Sequence, residues 1–286
     1  MLTSSVQWGR RATHVAMPSP RIPAVTARLR TLAVRYGPAA VTFVLFVLLW
    51  EGGVRLFNIP LYLLPPPSLV IVYIVTHQAL FVSSTLETLR LVVEGFGISI
   101  MLGIPLGILL ARSRLFARTI YPLLVASQTF PKLAVGPLFV VWFGFGAAPK
   151  LLLAFLVAFF PIMIDTTTGL RSVRPETLML ARSMGLGRVR SFLRIQLPQA
   201  LPSIFAGLRI GSTLAVLGVL VAEFLGAAGG LGYLVITATG SLNTVLLFAA
   251  LVVIAAIGLL LYALVALVEH LSIGSWYPPQ TGSSHH

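Results

Sequence analysis

The sequence contains no cysteine and few charged residues. Of its 286 residues 9% are charged and 57% are hydrophobic, and the mean hydropathy is +0.97. The lack of cysteine excludes disulfides, thiolate chemistry and cysteine-based metal sites. Soluble domains carry roughly 25% charged residues, so an ordinary globular core does not account for this composition. We therefore predict an all-α membrane protein.

Lysine is also nearly absent. The two lysines, Lys132 and Lys150, each follow a proline and precede a leucine. A phosphate-binding loop requires Gly-Lys-Ser/Thr, so the chain is not expected to hydrolyse ATP itself. No Ser/His/Asp arrangement and no cluster of metal ligands is evident in the sequence. We expect no catalytic residue, no metal and no cofactor in this chain.

Long apolar runs dominate what remains. A bilayer core needs roughly 20 apolar residues per helix, and the sequence offers about six such runs. The predicted spans are 38–57, 88–111, 119–144, 149–170, 203–224 and 245–268. Residues 60–86 have too short an apolar length to span, and we predict an extended proline segment leading into an amphipathic surface helix.

The formal charge of +13 comes from arginines on one side of these spans. Six lie in residues 1–35, three follow the second span and six follow the fourth. The positive-inside rule then places both termini in the cytoplasm. The charge serves as an orientation signal, and no nucleic-acid partner is expected.

The chain divides into three predicted segments. Residues 1–35 form a basic, disordered cytoplasmic arm. Residues 36–272 form the six-span domain. Residues 273–286 form a tail whose end, Thr281-Gly-Ser-Ser-His-His286, is typical of a tag remnant.

The hydrophilic loop 171–198 has a helical pattern. Pro175 predicts a helix start, and Gly185 a helix end. Between them lie apolar residues at helical spacing: Leu180, Ala181 and Met184. After Gly187 we predict a second short helix, whose extension Pro198 limits. Such helices either lie on lipid headgroups or dock into a partner protein, and the pattern alone leaves both open.

Polar residues occur inside the third predicted span. Gln128, Thr129 and Lys132 surround Pro131, near mid-bilayer depth. A proline there breaks the hydrogen-bond ladder, which is tolerated only where backbone faces protein or a water-filled path. We hypothesise that this segment lines a translocation route, with Lys132 attracting an anion. The alternative is a structural lysine near a helix break.

Three further ionisable residues lie in the later spans. Glu223 ends the fifth span on the external side and is predicted to cap the pathway or contact a partner, although a solvated helix-end carboxylate is equally open. Asp165 and Arg209 have similar depths in the fourth and fifth spans. We predict an ion pair between them, with separate snorkelling to the interface as the alternative.

Glycines recur four residues apart in two spans. Gly103 and Gly107 lie in the second span, and Gly207 and Gly211 lie in the fifth. This spacing favours close helix packing, either within one chain or between chains.

The loop resembles the cytoplasmic motif E-A-A-x3-G-x9-I-x-L-P of ATP-binding-cassette (ABC) importer permeases. Four residues match at the motif's spacing: Gly185, Ile195, Leu197 and Pro198. Ala181 matches the second alanine, whereas Met179 and Leu180 stand where the family has glutamate and alanine. Flanking segments resemble the nitrate/sulfonate/taurine-type branch over roughly residues 40–272: Pro131-Lys132-Leu-Ala134, Pro137-Leu138, Trp142-Phe-Gly144, Phe160-Pro161, Gly169-Leu-Arg-Ser-Val173, Ala222-Glu223 and Gly230-Leu-Gly-Tyr233.

The resemblance implies a permease subunit of a type I ABC importer in the bacterial inner membrane. Its partners would be a second permease subunit, as a homodimer, two ABC ATPase subunits that bind ATP and Mg²⁺, and an extracytoplasmic substrate-binding protein. The loop would couple the permease to the ATPase. The residues expected at that contact are Glu176, Met179, Leu180, Ala181, Met184, Gly185, Leu186, Ile195, Leu197 and Pro198.

The branch implies a small anionic nutrient such as a sulfonate, taurine or nitrate as the substrate. Family members for a thiamine-precursor pyrimidine or riboflavin are the alternative. An ATP-independent six-span carrier or channel, with the loop on lipid, is the alternative from another class.

Overall fold

The computed structural model describes residues 24–226 and 228–273, and these are helices joined by turns, without a strand in either range. The chain divides at Gly52–Gly53 into two compact units. The all-α prediction is confirmed. The predicted tail lies outside the described residues, apart from Ile273.

Helix α1, Ala24–Leu56, contains most of the first predicted span. The predicted disordered arm extended to residue 35, whereas the helix begins at residue 24. Residues 24–35 are mainly alanine, leucine, arginine and valine without glycine or proline, so nothing in them interrupts a helix. Residues 1–23 of the predicted arm lie outside the described part of the chain.

The second unit begins with helix α2, Pro67–Thr76, and helix α3, Gln78–Arg112. Helix α2 follows the predicted proline segment and begins at its last proline, but it is packed against a later helix (Thr244–Ile273) and buries Val70. The predicted surface helix is therefore corrected to a packed one. Helix α3 starts ten residues before the predicted second span, because no glycine or proline interrupts residues 78–87.

The third predicted span is broken. It consists of helix α4, Arg114–Ala126, a 3₁₀ turn at Lys132–Val135, and helix α5, Gly136–Phe143. Pro131 precedes the 3₁₀ turn, and Pro137 occupies the first turn of α5, where a missing N–H is tolerated. The expected interruption of the hydrogen-bond ladder is confirmed, and the single span is corrected to three short pieces.

Helix α6, Ala147–Arg171, forms the centre of the unit, packed against α3 on one side and a later helix (Leu197–Phe224) on the other. The glycines of both neighbours face it. A Cβ on Gly107 would come within 2.8 Å of the Met163 carbonyl oxygen, and one on Gly211 within 2.9 Å of Ile162. The predicted close packing is thus found within one chain.

The remaining helices are α7, Pro175–Ser183; α8, Arg188–Ser191; α9, Leu197–Phe224; α10, Leu231–Gly240; and α11, Thr244–Ile273. The short helix α10 was not predicted, since its ten residues contain two glycines and follow a glycine-rich turn. Among the described residues, four segments are long and apolar enough to cross a membrane: Gln78–Arg112, Ala147–Arg171, Arg188–Phe224 and Thr244–Ile273.

Candidate functional site

Helix α7 opens the candidate coupling loop as the sequence predicted. Pro175 occupies its first turn, where the missing N–H leaves no hydrogen bond unmade. Glu176 follows in the same turn, and its carboxylate suits the positive end of the helix. The start of the predicted helix is confirmed.

Helix α7 ends in a Schellman motif. The Leu186 N–H donates to the Ala181 carbonyl at 3.0 Å, and the Gly185 N–H donates to the Arg182 carbonyl at 2.9 Å. Gly185 has a φ of +80°, a region that residues with a side chain seldom adopt. The predicted helix end is confirmed, and Gly185 is explained by its backbone rather than by side-chain contacts.

Apolar side chains of α7 and its cap point outward. Met179, Leu180 and Met184 are 65%, 63% and 71% exposed, whereas Ala181 is 4% exposed. Consecutive helical residues differ by 100° in direction, so Leu180 and Ala181 lie on different faces. The predicted apolar stripe is therefore divided between a buried and an exposed face. Exposed apolar clusters of this kind mark interaction surfaces.

The second half of the loop does not end at Pro198. Helix α8 passes through a π turn at Phe192–Gln196 into α9, making Arg188–Phe224 one helical segment. The Leu197 N–H donates to the Phe192 carbonyl, five residues back. Because a proline ring crowds the carbonyl four residues earlier, the wider turn accommodates Pro198 without ending the helix. The predicted stop at Pro198 is wrong, and the loop is continuous with a span.

The π turn rests on a small buried cluster, called here the inner cluster. It consists of Leu170, Ala200 and Ile204, with partly buried neighbours that include Phe192 and Leu197. Ile195 and Pro198 are half-buried. The later motif residues therefore face the membrane domain, while the α7 end faces outward.

Two arginines bind to the roots of the loop. Arg171 donates from Nη2 to the Leu110 carbonyl at 2.8 Å, and its guanidinium lies 5.2 Å from the Tyr121 ring centroid. The Arg112 guanidinium lies 4.9 Å from the Phe192 ring centroid. Neither contact could be predicted from the sequence, because the partners of both arginines are distant in the chain.

The broken third span carries four of the predicted pathway residues. Gln128, Thr129 and Pro131 are exposed in the turn between α4 and the 3₁₀ turn. Lys132 is partly buried, with Nζ 4.0 Å from the Phe160 ring centroid. The break thus carries exposed polar side chains and one cation that lies over an aromatic ring.

Glu223, predicted at the pathway, is instead buried in helix packing at 1% exposure. Its Oε1 accepts from Thr88 Oγ1 at 2.9 Å, and its Oε2 accepts from the Gly232 N–H at 2.7 Å. The Leu231 N–H donates to Thr88 Oγ1 at 2.8 Å. The carboxylate therefore lies at the N-terminus of α10, where the helix dipole favours negative charge. A Cβ on Gly230 would overlap this carboxylate, so the glycines make room for it. The predicted solvated helix-end carboxylate is therefore excluded, and a role of Glu223 at the pathway stays a prediction.

A cleft of about 460 Å³ is lined by residues of α3, of the start of α6 and of the end of α9. Lys150, 8% exposed, places Nζ 3.2 Å from Oε1 of Glu87, and both line the cleft. Arg90, also in the lining, is paired with Glu94 at 2.7 Å. Each cation thus has a carboxylate partner, and the partner of Arg90, Glu94, lies outside the cleft lining.

The predicted ion pair between Asp165 and Arg209 is wrong. Arg209 Nε lies 3.4 Å from Oε2 of Glu269 in α11. Asp165 instead packs at Gly207, where an added Cβ would meet its Cβ at 2.8 Å. Residues two apart on a helix point to nearly opposite sides. Since Gly207 faces α6, Arg209 faces away from Asp165.

Comparison with known proteins identifies the chain. The family described as "Binding-protein-dependent transport system inner membrane component" matches residues 103–272, more than half of the sequence. The chain belongs to this family. It is a multi-pass permease of the inner membrane and not an enzyme, as the sequence analysis predicted.

Several permeases are similar over most of their length. The chain is 36% identical to the formylaminopyrimidine transport permease protein ThiX of Halalkalibacterium halodurans, over 80% of this chain and 92% of that one. It is 37% identical to the riboflavin transport system permease protein RibX of Chloroflexus aurantiacus, over 87% and 95%. It is 32% identical to the taurine transport system permease protein TauC of Escherichia coli, over 76% and 82%.

A solved structure shares the fold. A chain of the MetNI methionine ABC transporter, in inward-facing conformations, superposes with a TM-score of 0.58 at 19% identity. The match covers 69% of this permease and 96% of that chain. The predicted ABC importer permease architecture is therefore confirmed at the level of the fold.

Proposed function

We propose that two copies of this permease form the translocation pathway of the importer, with both termini in the cytoplasm, and that residues 171–198 dock into an ATPase subunit. The outward-facing Met179, Leu180 and Met184 carry this proposal. They lie at the end of a helix with a fixed start and a Schellman cap, so the surface is apolar and also rigid.

The contact would be apolar where the family motif has a glutamate. Methionine and leucine side chains adapt to a partner surface, and methionine does so through its flexible thioether. Gly185 and Leu186 form the turn that presents them. ATP and Mg²⁺ would be bound by the ATPase, and the substrate would be delivered by a binding protein.

Docking is tested by co-purifying the permease with its ATPase subunit from detergent. We expect Leu180→Asp to abolish co-purification, because it places a charge in an apolar contact. Arg182→Gln, at a neighbouring exposed position, is the control and should retain the ATPase. Normal recovery of ATPase with Leu180→Asp, and with Gly185 and Leu186 both replaced, would support a loop that lies on lipid and an ATP-independent carrier.

We propose that the substrate is a small anionic nutrient and that Lys132 lies on the translocation pathway. The position of Lys132 beside the helix break, together with the similarity to a taurine permease, supports this proposal. A flat heteroaromatic substrate, such as a pyrimidine or riboflavin, is the second candidate. The two permeases named for such compounds are 36% and 37% identical over more of the chain.

Uptake into vesicles containing the complete transporter separates the two substrate classes. With taurine as the probe, Lys132→Met should lower uptake strongly, whereas Lys132→Arg retains the cation and should preserve most of it. With riboflavin as the probe, Lys132→Met should have little effect. Normal assembly with unchanged taurine uptake in Lys132→Met would remove the role of Lys132 in anion passage. The ligand that co-purifies with the binding protein identifies the substrate directly.

A further inference from the structure

The loop joins the membrane domain differently at its two halves. Helix α7 ends at the Gly185–Gly187 turn, where an added Cβ on either glycine would meet nothing within 4 Å. The second half, by contrast, is one helical segment with α9, Arg188–Phe224. Only the second half of the loop is therefore joined to a span, α9, by continuous helix, so a displacement of the loop can be transmitted along a helix only through this half.

The π turn is the position at which this helical segment bends most easily. At Phe192–Gln196 the regular i to i−4 hydrogen bonds are replaced by a wider pattern, which often marks functional positions in helices. A rigid helix transmits a push along its axis, but a turn of this kind bends unless side chains hold it. Its side-chain contacts therefore decide whether the segment acts as one body.

Phe192 supplies these contacts. It packs against the inner cluster, and three residues of α3, Ile104, Ile108 and Ala111, pack against the same cluster. The Arg112 guanidinium, at the C-terminal end of α3, lies 4.9 Å from the ring centroid. Arg112 itself is exposed, whereas Phe192 is partly buried.

We infer that Arg112 and Phe192 are positioning residues for energy coupling: their cation–π contact holds the π turn against α3, so that movement of the loop reaches span α9. This inference rests on the proposed docking of the loop into an ATPase. It goes beyond that docking because it names the contact through which the motion leaves the loop.

Arg171 has a different part in this arrangement. Its hydrogen bond to the Leu110 carbonyl joins the end of α6 to α3, on the α7 side of the loop. Its hydrogen bond to Leu110 and its contact with the Tyr121 ring both involve partners outside the π turn. Arg171 is therefore not expected to change transmission to α9 when α3 and α6 remain packed.

Distance measurements on the permease–ATPase complex test the inference. Because the chain has no cysteine, spin labels can be attached at introduced cysteines. One pair, Val189→Cys with Leu259→Cys, reports the loop relative to α11, and a second pair, Leu217→Cys with Leu259→Cys, reports span α9. All three positions are exposed. Distances are measured without nucleotide and after trapping with ATP and vanadate.

In the otherwise unchanged complex, we expect trapping to shift both distances. With Arg112→Gln or Phe192→Leu, the loop distance should still shift, while the trapped population of the α9 distance falls about two- to fivefold, the range of one exposed cation–π contact. Arg112→Lys and Phe192→Tyr keep a cation and a ring and should restore it. The double variant Arg112→Gln/Phe192→Leu should be no worse than the worse single variant.

Each other outcome has a distinct meaning. The inference is overturned if trapping shifts the α9 distance in Arg112→Gln as much as in the unsubstituted permease. It is also overturned if the variant gives less complex but the complex that forms shows the full shift of the α9 distance. Loss of the ATPase, or absence of any loop shift in the unsubstituted permease, overturns the proposed docking instead. The ratio of the two shifts is insensitive to a general loss of stability, which distinguishes positioning from a purely structural role.

Discussion

Glu223 accepts a 2.7 Å hydrogen bond from the backbone N–H of Gly232, which joins the end of α9 to the first turn of α10. Thr88 of α3 donates to the same carboxylate. A buried acidic group near the end of a span therefore ties three helices together. We therefore expect a structural role for this carboxylate, and the glycines that follow it in the sequence leave the space that it fills.

The buried carboxylate should be essential for stability. Glu223→Ala leaves the Gly232 N–H and the Thr88 hydroxyl without their acceptor, at a cost of about 1–3 kcal/mol for each unsatisfied group. We expect a clear fall in the melting temperature of the permease in detergent. Glu94→Ala is the control, because it removes only an exposed ion pair with Arg90 and should change the melting temperature little. Equal melting temperatures for the two variants would contradict the structural role of Glu223.

Two glycines of the coupling loop should differ in their tolerance of alanine. Gly185 has φ +80°, whereas Gly187 has φ −65°, and both have room for a methyl group. Gly185→Ala should cost about 1–2 kcal/mol of local stability, because the backbone at this position is left-handed. Gly187→Ala should change the local stability very little. Co-purification of the ATPase measures the effect, with a loss expected only for Gly185→Ala. Similar recovery for both variants would show that the cap geometry is not needed for docking.

Neutralising either residue of the ion pair between α9 and α11 should lower the stability of the permease. Arg209 and Glu269 are both mostly buried, so removing one charge leaves the other without compensation. We expect Arg209→Gln and Glu269→Gln each to lower stability by about 1–2 kcal/mol, less than a fully buried pair because both groups retain some exposure. The double variant should recover part of this loss.

Asp165 provides the comparison for that ion pair. Asp165→Asn combined with Arg209→Gln should give additive changes in melting temperature, because the two residues do not contact each other. Strong coupling between Asp165 and Arg209, with none between Arg209 and Glu269, would contradict the arrangement of these helices.

Helix packing predicts a second contrast between glycines. A Cβ on Gly107 would meet the Thr166 Cβ at 2.7 Å, whereas one on Gly97, in the same helix α3, would meet nothing within 4 Å. Gly107→Ala should destabilise the permease by roughly 1–3 kcal/mol through overpacking. Gly97→Ala should be neutral or stabilising, because alanine favours a helix over glycine. Thermal melting in detergent measures both, and equal tolerance would argue against the close contact of α3 with α6.

Local rules were sufficient where the physical cause lies within a few residues. Composition and apolar run length predicted an all-α membrane protein, and proline and glycine positions predicted the start and end of α7. The motif residues around Gly185 indicated the family before any comparison. Gly107 and Gly211 indicated close packing, although their spacing did not reveal the partner helix.

Local rules failed where two groups meet from distant parts of the chain. Pro198 was read as a helix stop, yet a π turn that rests on the inner cluster carries the helix through it. The sequence leaves Glu223 open between the pathway, a partner contact and a solvated helix end, since nothing near it in the sequence reveals Thr88 as a donor.

The sequence by itself therefore determined the class of protein, the family and the local shape of α7, because these depend on composition, backbone chemistry and short spacings. Only the tertiary structure decided which charges pair and which are capped. Arg209 pairs with Glu269 rather than with Asp165. Gly207 packs against α6 and so fixes the rotation of α9 about its own axis, which sets the direction of every side chain on that helix.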